Sequence, residues 1–374
     1  MAGITNTTRA FGSVRRYIQG PGEIRNLKKY VSGFGASAYV LISHALFERL
    51  CPELEALEPV EVRLFCDEFH GEVTEELLLQ KTARGRETGA ACVVGIGGGK
   101  CADTARAVAG ELKLPCILSP SIASTDAPVS SMSVVFEPDG TQKRIIRYVD
   151  FPEMVVVDSQ IIADAPARYF SAGIGDALAT CYEARQSASG DHPNFVASGY
   201  RKTLAGMAVC EACERTVWEK GPAALRAVEL HLVTPDVEDV IEANTLLSGL
   251  GFINVGLGGA HATNTGLTVL KETAGALHGE LVSFGILVQF VLEQRPEEER
   301  NALMNLLCQL KLPITLEQLG IREMTEEMLA QVSEKAAGGF WTRCPFLVTP
   351  RMVGDAILMA DAYGRRFLEK HTSD

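Results

Sequence analysis

Across the first 160 residues, short β-branched runs alternate with stretches of helical periodicity, and after Asp164-Ala165-Pro166 that alternation stops. Strand candidates lie at 38–43, 61–65, 91–95, 116–119 and 154–158, with helices at 43–50 and 74–88 among those between them. Neighbouring parallel strands need a crossover long enough to hold a helix, so this spacing implies a parallel sheet with helices on its faces. One interruption, SVVFEPDGTQKRIIRY, reads as a β-hairpin turning at Asp139-Gly140. From residue 164 onward the text is rich in Ala, Leu and Glu at helical spacing, with Pro235, Pro313 and Pro350 at helix starts or loops. We therefore expect an α/β domain over 1–163 and an all-helical domain over 164–374, with a cleft between them where ligands meet.

The strand at 91–95 runs into Gly95-Ile96-Gly97-Gly98-Gly99-Lys100, followed by the helical text CADTARAVAG. Glycines between a strand and a helix N-terminus let backbone N–H groups approach a phosphate, and the helix dipole favours its charge. The segment is neither of two common motifs. A P-loop needs Gly at position 94 and a hydroxyl after the lysine, where Val94 and Cys101 stand. The G-x-G-x-x-G fingerprint needs Gly where Lys100 stands. Three consecutive glycines carry an entropic cost that a merely tight turn does not require, so we read a pyrophosphate loop. Asp103, one turn into the helix, is a candidate for a ribose or amide contact, or is simply solvated. Downstream, Pro120 to Ser130 (PSIASTDAPVS) is dense in hydroxyls at the end of a parallel strand, where open α/β sheets bind ligands. Asp126 there is either a ligand-binding carboxylate or a helix cap.

Two of the seven histidines, His261 and His278, lie seventeen positions apart in an apolar, glycine-punctuated region. Alone they read as core histidines satisfied by carbonyls. Asp176, in AGIGDALATCYEA, supplies a third candidate, although a carboxylate early in a helix also serves as a cap. One carboxylate and two imidazoles form a common ligand set for catalytic zinc with a fourth position open. The same donors also suit other divalent metals.

A net charge of −12 leaves no basic stripe for nucleic acid. No apolar run has the length of a signal peptide core at the start or of a membrane span elsewhere, and the apolar stretch at 281–292 is interrupted by Gly285 and Gln289. Ten scattered cysteines suit reduced, buried thiols in a cytoplasmic protein. The lone C-x-x-C of Cys210 and Cys213 is weak evidence for a redox or zinc role.

Taken together, GIGGGKCADTARA, SIASTDAPVSSMSVVF, AGIGDALATCYEA and HATNTGLTVL with HGELVSFG resemble the glycerol dehydrogenase branch of the metal-dependent, iron-containing alcohol dehydrogenases. The resemblance runs essentially the whole length, from YIQGPGEI to ADAYGRRFLE. It implies an α/β dinucleotide-binding domain followed by an all-α metal-binding domain, the dehydroquinate synthase-like arrangement. It also implies hydride transfer from a secondary hydroxyl of glycerol or a similar vicinal diol to NAD.

By that similarity Asp176, His261 and His278 match zinc ligands that also receive substrate. Gly97, Gly98, Gly99, Lys100 and Asp103 match the dinucleotide phosphate loop, and Ser121, Ser124 and Thr125 a second cofactor-contacting loop. Asp126 matches the residue that holds the polyol. Ser130, Met132 and Phe136 match positions lining the nicotinamide side, where the family shows Leu and Tyr at the last two. His44 stands where these enzymes usually carry an Asp for the adenosine ribose, which removes a repulsion against a 2′-phosphate and leaves NADP open. Asn264 stands where many relatives have a second histidine. The resemblance further implies a ring-like homo-oligomer such as an octamer. The alternatives are a family dehydrogenase acting on a 2-hydroxy acid or glycerol-1-phosphate, and a non-catalytic member that keeps the fold.

Overall fold

The computed structural model describes residues 7–58, 61–190, 192–196 and 199–371. The start of the N-terminal stretch read above, residues 1–6, lies outside them. The chain opens with β1 (Tyr17–Gly20), α1 (Leu27–Ser32), β2 (Ser37–Ser43), α2 (His44–Glu55), β3 (Arg63–Phe69) and α3 (Glu75–Thr88). It continues with β4 (Cys92–Gly97), α4 (Gly99–Leu112), β5 (Cys116–Pro120), β6 (Met132–Phe136), β7 (Gln142–Arg147), β8 (Met154–Asp158) and α5 (Ser159–Asp164). Six strands form one parallel sheet in the order β1-β8-β5-β4-β2-β3, and β6 and β7 form a separate antiparallel hairpin.

Every residue of β4, β5 and β8 is buried. Such near-continuous apolar strands are what a sheet covered on both faces requires. Cys92, Val94 and Ile96 point to one face with Leu27, Val31, Leu50 and Leu54 of α1 and α2. Val93 points to the other, toward Ala105 and Val108 of α4. The hairpin turns as expected at Asp139-Gly140, with Gly140 at φ +85° and the Asp139 carboxylate accepting from the Thr141 N–H at 2.8 Å.

Two strands depart from the sequence reading. β3 continues past Phe65 to Phe69, in register with β2 over seven pairs. Its polar tail is tolerated because Asp67 receives Lys81 Nζ at 2.9 Å and also the Tyr39 hydroxyl. β1 was not foreseen: four residues without alternation carry no local signal, and the strand exists because β8 offers a free edge.

Helices follow: α6 (Ala167–Ser189), α7 (Leu204–Val228), α8 (Pro235–Glu242), a π turn at Ala243–Leu247, α9 (Ser248–Asn254), α10 (Gly259–Leu267), α11 (His278–Leu292), α12 (Glu297–Gln309), α13 (Glu326–Ala337) and α14 (Pro350–His371). α6 and α11 are buried along most of their lengths and form the axis of this half. We propose keeping the division at 163/164, at the end of α5. The core nevertheless crosses it, since Leu118, Val155 and Val157 share one apolar cluster with Phe170, Ile174, Val282 and Phe284. No single helix among the described residues is long and apolar enough to cross a membrane.

Candidate active site

Backbone-to-backbone packing builds the centre of the cleft. A Cβ on Gly279 would stand 1.7 Å from the Ala172 carbonyl, and one on Gly173 would stand 1.7 Å from the Ala123 carbonyl. Only glycine lets the start of α11 and the loop after β5 come this close to α6. The result places His278, the first residue of α11, and His261 of α10 over Asp176 in mid-α6. Asp176 Oδ1 lies 3.3 Å from His261 Nε2 and 3.4 Å from His278 Nε2.

Both Asp176 oxygens are buried and neither has a hydrogen-bond partner. A buried carboxylate without hydrogen bonds is costly, so this arrangement needs a reason. Two ligands on a tetrahedral ion with bonds of about 2.05 Å stand roughly 3.3 Å apart. The three donor groups therefore aim at a common point instead of at each other, and the donor set fits a divalent ion. The His278 side chain is 40% exposed, which leaves that point reachable from the cleft.

A second layer holds the imidazoles. Glu183, two turns after Asp176 on the same face of α6, is fully buried. It accepts from the His261 main-chain N–H at 2.7 Å and faces His261 Nδ1 at 2.6 Å. A ligating histidine commonly gives its other ring nitrogen to a carboxylate in this way. Sequence reasoning passed over Glu183. The available signal was a second acid seven residues after Asp176 in an otherwise apolar helix. In the metal-free chain, burial disfavours a charged His261, yet Glu183 and Asp176 push its pKa well above the ordinary imidazole value. Burial likewise opposes the Asp176 charge, but His278 and His261 hold that carboxyl below the usual range. Asn264 faces His278, with Nδ2 at 3.2 Å from Nδ1, and its own Oδ1 is buried without a partner.

Asp126 borders the same space from the loop after β5. It caps no helix with its side chain. Instead Oδ2 accepts from Ser248 Oγ at 2.9 Å, and Ser248 in turn meets Thr180 Oγ1 at 2.8 Å. Burial, with the nearby Asp176 charge, pushes the Asp126 carboxyl up to about 8 in the metal-free chain. The π turn keeps this loop in place, because Asn244 Nδ2 donates to the Ala123 and Phe170 carbonyls at 3.1 and 3.2 Å.

The glycine segment stands at the topological switch of the sheet. From β2 the chain runs outward to β3, then returns past β2 to β4 and on to β5. The crevice between the C-terminal ends of β2 and β4 is where doubly wound sheets bind dinucleotides. Gly97 ends β4, Gly98 precedes α4 and Gly99 begins it. The first N–H groups of a helix lack intrahelical acceptors and point into such a crevice. Gly97 also admits Cys101 and Ser43, which a Cβ would meet at 2.6 and 3.0 Å. Lys100, half exposed, pairs with Glu72. Ser121 is buried and its N–H donates to the Gly97 carbonyl at 3.1 Å, while Ser124 and Thr125 are half-buried, with the Thr125 hydroxyl beside Gly99.

Several of the expected cofactor positions also have partners within the protein. The Asp103 carboxylate is engaged within the protein: Oδ1 accepts from Arg106 at 2.7 Å and Oδ2 from the Val134 N–H at 2.9 Å, which ties α4 to the hairpin. Ser130 Oγ accepts from the Met132 N–H at 3.0 Å, and Met132 Sδ faces Arg147. Phe136 packs on a small core of Val73, Leu78, Ala107 and Val135. Cys210 and Cys213 are buried in α7, where the Cys213 thiol donates to the Ala177 carbonyl at 3.4 Å, so the C-x-x-C is a packing feature. His44 is exposed at the start of α2, and its Nδ1 contacts Glu68.

Residues 14–159 match the family model of iron-containing alcohol dehydrogenases. A glycerol dehydrogenase of Thermotoga maritima is 40% identical over 94% of this chain and 96% of its own. A glycolaldehyde reductase of Halobacterium salinarum is 38% identical over 97% of this chain and 100% of its own. The crystal structure of a probable glycerol dehydrogenase from Sinorhizobium meliloti superposes with a TM-score of 0.91 at 40% identity, covering 96% of this chain and 100% of that one. The α/β sheet, the helical half and these relatives agree: the chain is an oxidoreductase of the iron-containing alcohol dehydrogenase family and belongs to its glycerol dehydrogenase branch.

Proposed function

We propose that this enzyme oxidises a secondary hydroxyl of glycerol or a similar vicinal diol, with a nicotinamide dinucleotide as hydride acceptor and a divalent metal held by Asp176, His261 and His278. The observation that carries the metal is the buried Asp176 carboxylate, unpartnered and 3.3 and 3.4 Å from two imidazole nitrogens. Zinc is preferred by the resemblance to this branch, although the donors alone suit other divalent ions. A metal bound there supplies Lewis acidity that lowers the pKa of a coordinated hydroxyl.

The chain's own groups do the rest. Glu183 fixes the His261 tautomer so that Nε2 presents its lone pair to the centre. Asn264 does the same for His278: with the proton on Nδ1, a half-turn of the carboxamide lets the unpartnered Oδ1 accept it. Asp126, oriented by Ser248, takes the hydroxyl next to the reacting carbon, which favours diols over simple alcohols. Gly97 to Lys100 hold the pyrophosphate, with Ser121, Ser124 and Thr125 along its other side, and Ser130, Met132 and Phe136 flank the nicotinamide end. Among the described residues the other acids at the centre, Asp126 and Glu183, are engaged by Ser248 and His261, so the proton leaves by water. Ring-like assembly and a cytoplasmic setting, both implied by the resemblance, belong to the same proposal.

The test is initial-rate oxidation of glycerol and 1,2-propanediol with NAD and NADP in parallel, before and after chelation and zinc restoration. Zinc-restored turnover with a diol supports the reading. Bound zinc without turnover on either diol refutes the polyol assignment and directs attention to a hydroxy acid or phosphorylated substrate.

A further inference from the structure

We infer that Glu68, held by His44, is the carboxylate that reads the adenosine ribose and sets the preference for NAD over NADP; this rests on the dinucleotide reading above. In a doubly wound sheet the adenosine ribose lies over the strand next to the glycine loop. An acid at that strand's end binds the 2′-hydroxyl and repels a 2′-phosphate. Here that strand is β2, paired directly with β4. It ends in Ser43 and is followed by His44, neither of which carries a negative charge.

The structure supplies the charge from the next strand over. Glu68 lies on β3 opposite Ile42, one pair short of the end of β2. Its Oε1 contacts His44 Nδ1, and the two side chains are 42% and 69% exposed. The imidazole thus engages one carboxylate oxygen and ties the exposed group, one strand outward from the β2–β4 crevice, to the residue that follows the end of β2. Its neighbour Asp67 is not a competitor, because Lys81 and the Tyr39 hydroxyl occupy it. Lys81 Nζ also donates to the Glu68 carbonyl at 2.7 Å, which fixes the strand end from which the side chain projects. His70 meets the His44 ring edge-on with centroids 5.2 Å apart. The missing strand-end acid is therefore replaced by a carboxylate reached through an imidazole, and the NADP tolerance that His44 suggests in the sequence is cancelled by the fold.

The test is kcat/KM with NAD and with NADP for the wild type, Glu68→Gln and the double variant His44→Asp/Glu68→Gln. It is accompanied by direct titration of NADH and NADPH followed by nicotinamide fluorescence. Losing one charge-assisted hydrogen bond should lower NAD efficiency roughly tenfold. Relief of repulsion should raise NADP efficiency, so the NAD/NADP ratio falls further than either change alone. The aspartate at position 44 should restore the ratio by placing the acid directly at the strand end. A ratio that Glu68→Gln leaves unchanged, in a protein that still binds NADH, overturns the inference and leaves the dinucleotide reading intact. A wild type that binds neither NADH nor NADPH overturns both. A general folding defect would lower both efficiencies together and leave their ratio unmoved, which also counts against the inference.

Discussion

Gly279→Ala tests the claim that α11 owes its place, and His278 its aim, to a missing side chain. The added Cβ would begin 1.7 Å from the Ala172 carbonyl, so the start of α11 must retreat about 1.3 Å to reach even the 3.0 Å floor of real contacts. The obstacle is main chain inside a buried helix, which cannot swing aside. Overpacking of this kind costs about 1–3 kcal/mol, offset by at most about 1 kcal/mol of better helix propensity. A net loss of about 1–2 kcal/mol is expected. The effect on the metal should be larger, since ligand distances tolerate only about 0.2 Å and His278 is the adjacent residue. Metal affinity should fall by more than about tenfold. Gly275→Ala is the control, because nothing lies within 4 Å of a Cβ there. Urea midpoints of the metal-free proteins, together with zinc titration against a chromophoric chelator, read both effects. A Gly279→Ala protein as stable as the control within about 0.5 kcal/mol, with unchanged zinc affinity, would refute the reasoning.

Glu183→Gln keeps the shape but cannot accept from both His261 donors, and zinc affinity should weaken about 10–100-fold; an unchanged chelator competition curve would remove its orienting role. Asn264→Ala leaves the His278 Nδ1–H without an acceptor and should weaken zinc by about tenfold, whereas Asn264→Asp should retain affinity, measured the same way. Asp126→Asn should lower kcat/KM for glycerol about 10–100-fold, the worth of a charged hydrogen bond, and narrow its advantage over 2-propanol; an equal loss on both alcohols would place Asp126 in a purely structural role. Stripping the metal should abolish turnover and cost about 2.7 kcal/mol of stability relative to protein in metal at 100 times Kd, seen as a lower unfolding midpoint.

The sequence determined what depends on local spacing. Alternation of apolar runs and helical periods set the parallel sheet, Asp139-Gly140 set the hairpin, and glycines around Lys100 marked the strand-to-helix turn. Asp176, His261 and His278 were legible because ionisable residues are sparse in apolar text. Tertiary structure decided everything that depends on which distant groups meet. Asp103 turned inward because Arg106 and the Val134 N–H were waiting for it. Glu183 became the partner of His261 across 78 positions. β1 formed only because β8 left an edge open. His44 alone suggests a lost acid, but β3 runs beside β2 and brings the Glu68 carboxylate against that histidine. Periodicity is written in neighbouring residues, whereas the partner of a polar side chain is fixed by backbone approach, and here glycines far apart in the chain made that approach possible.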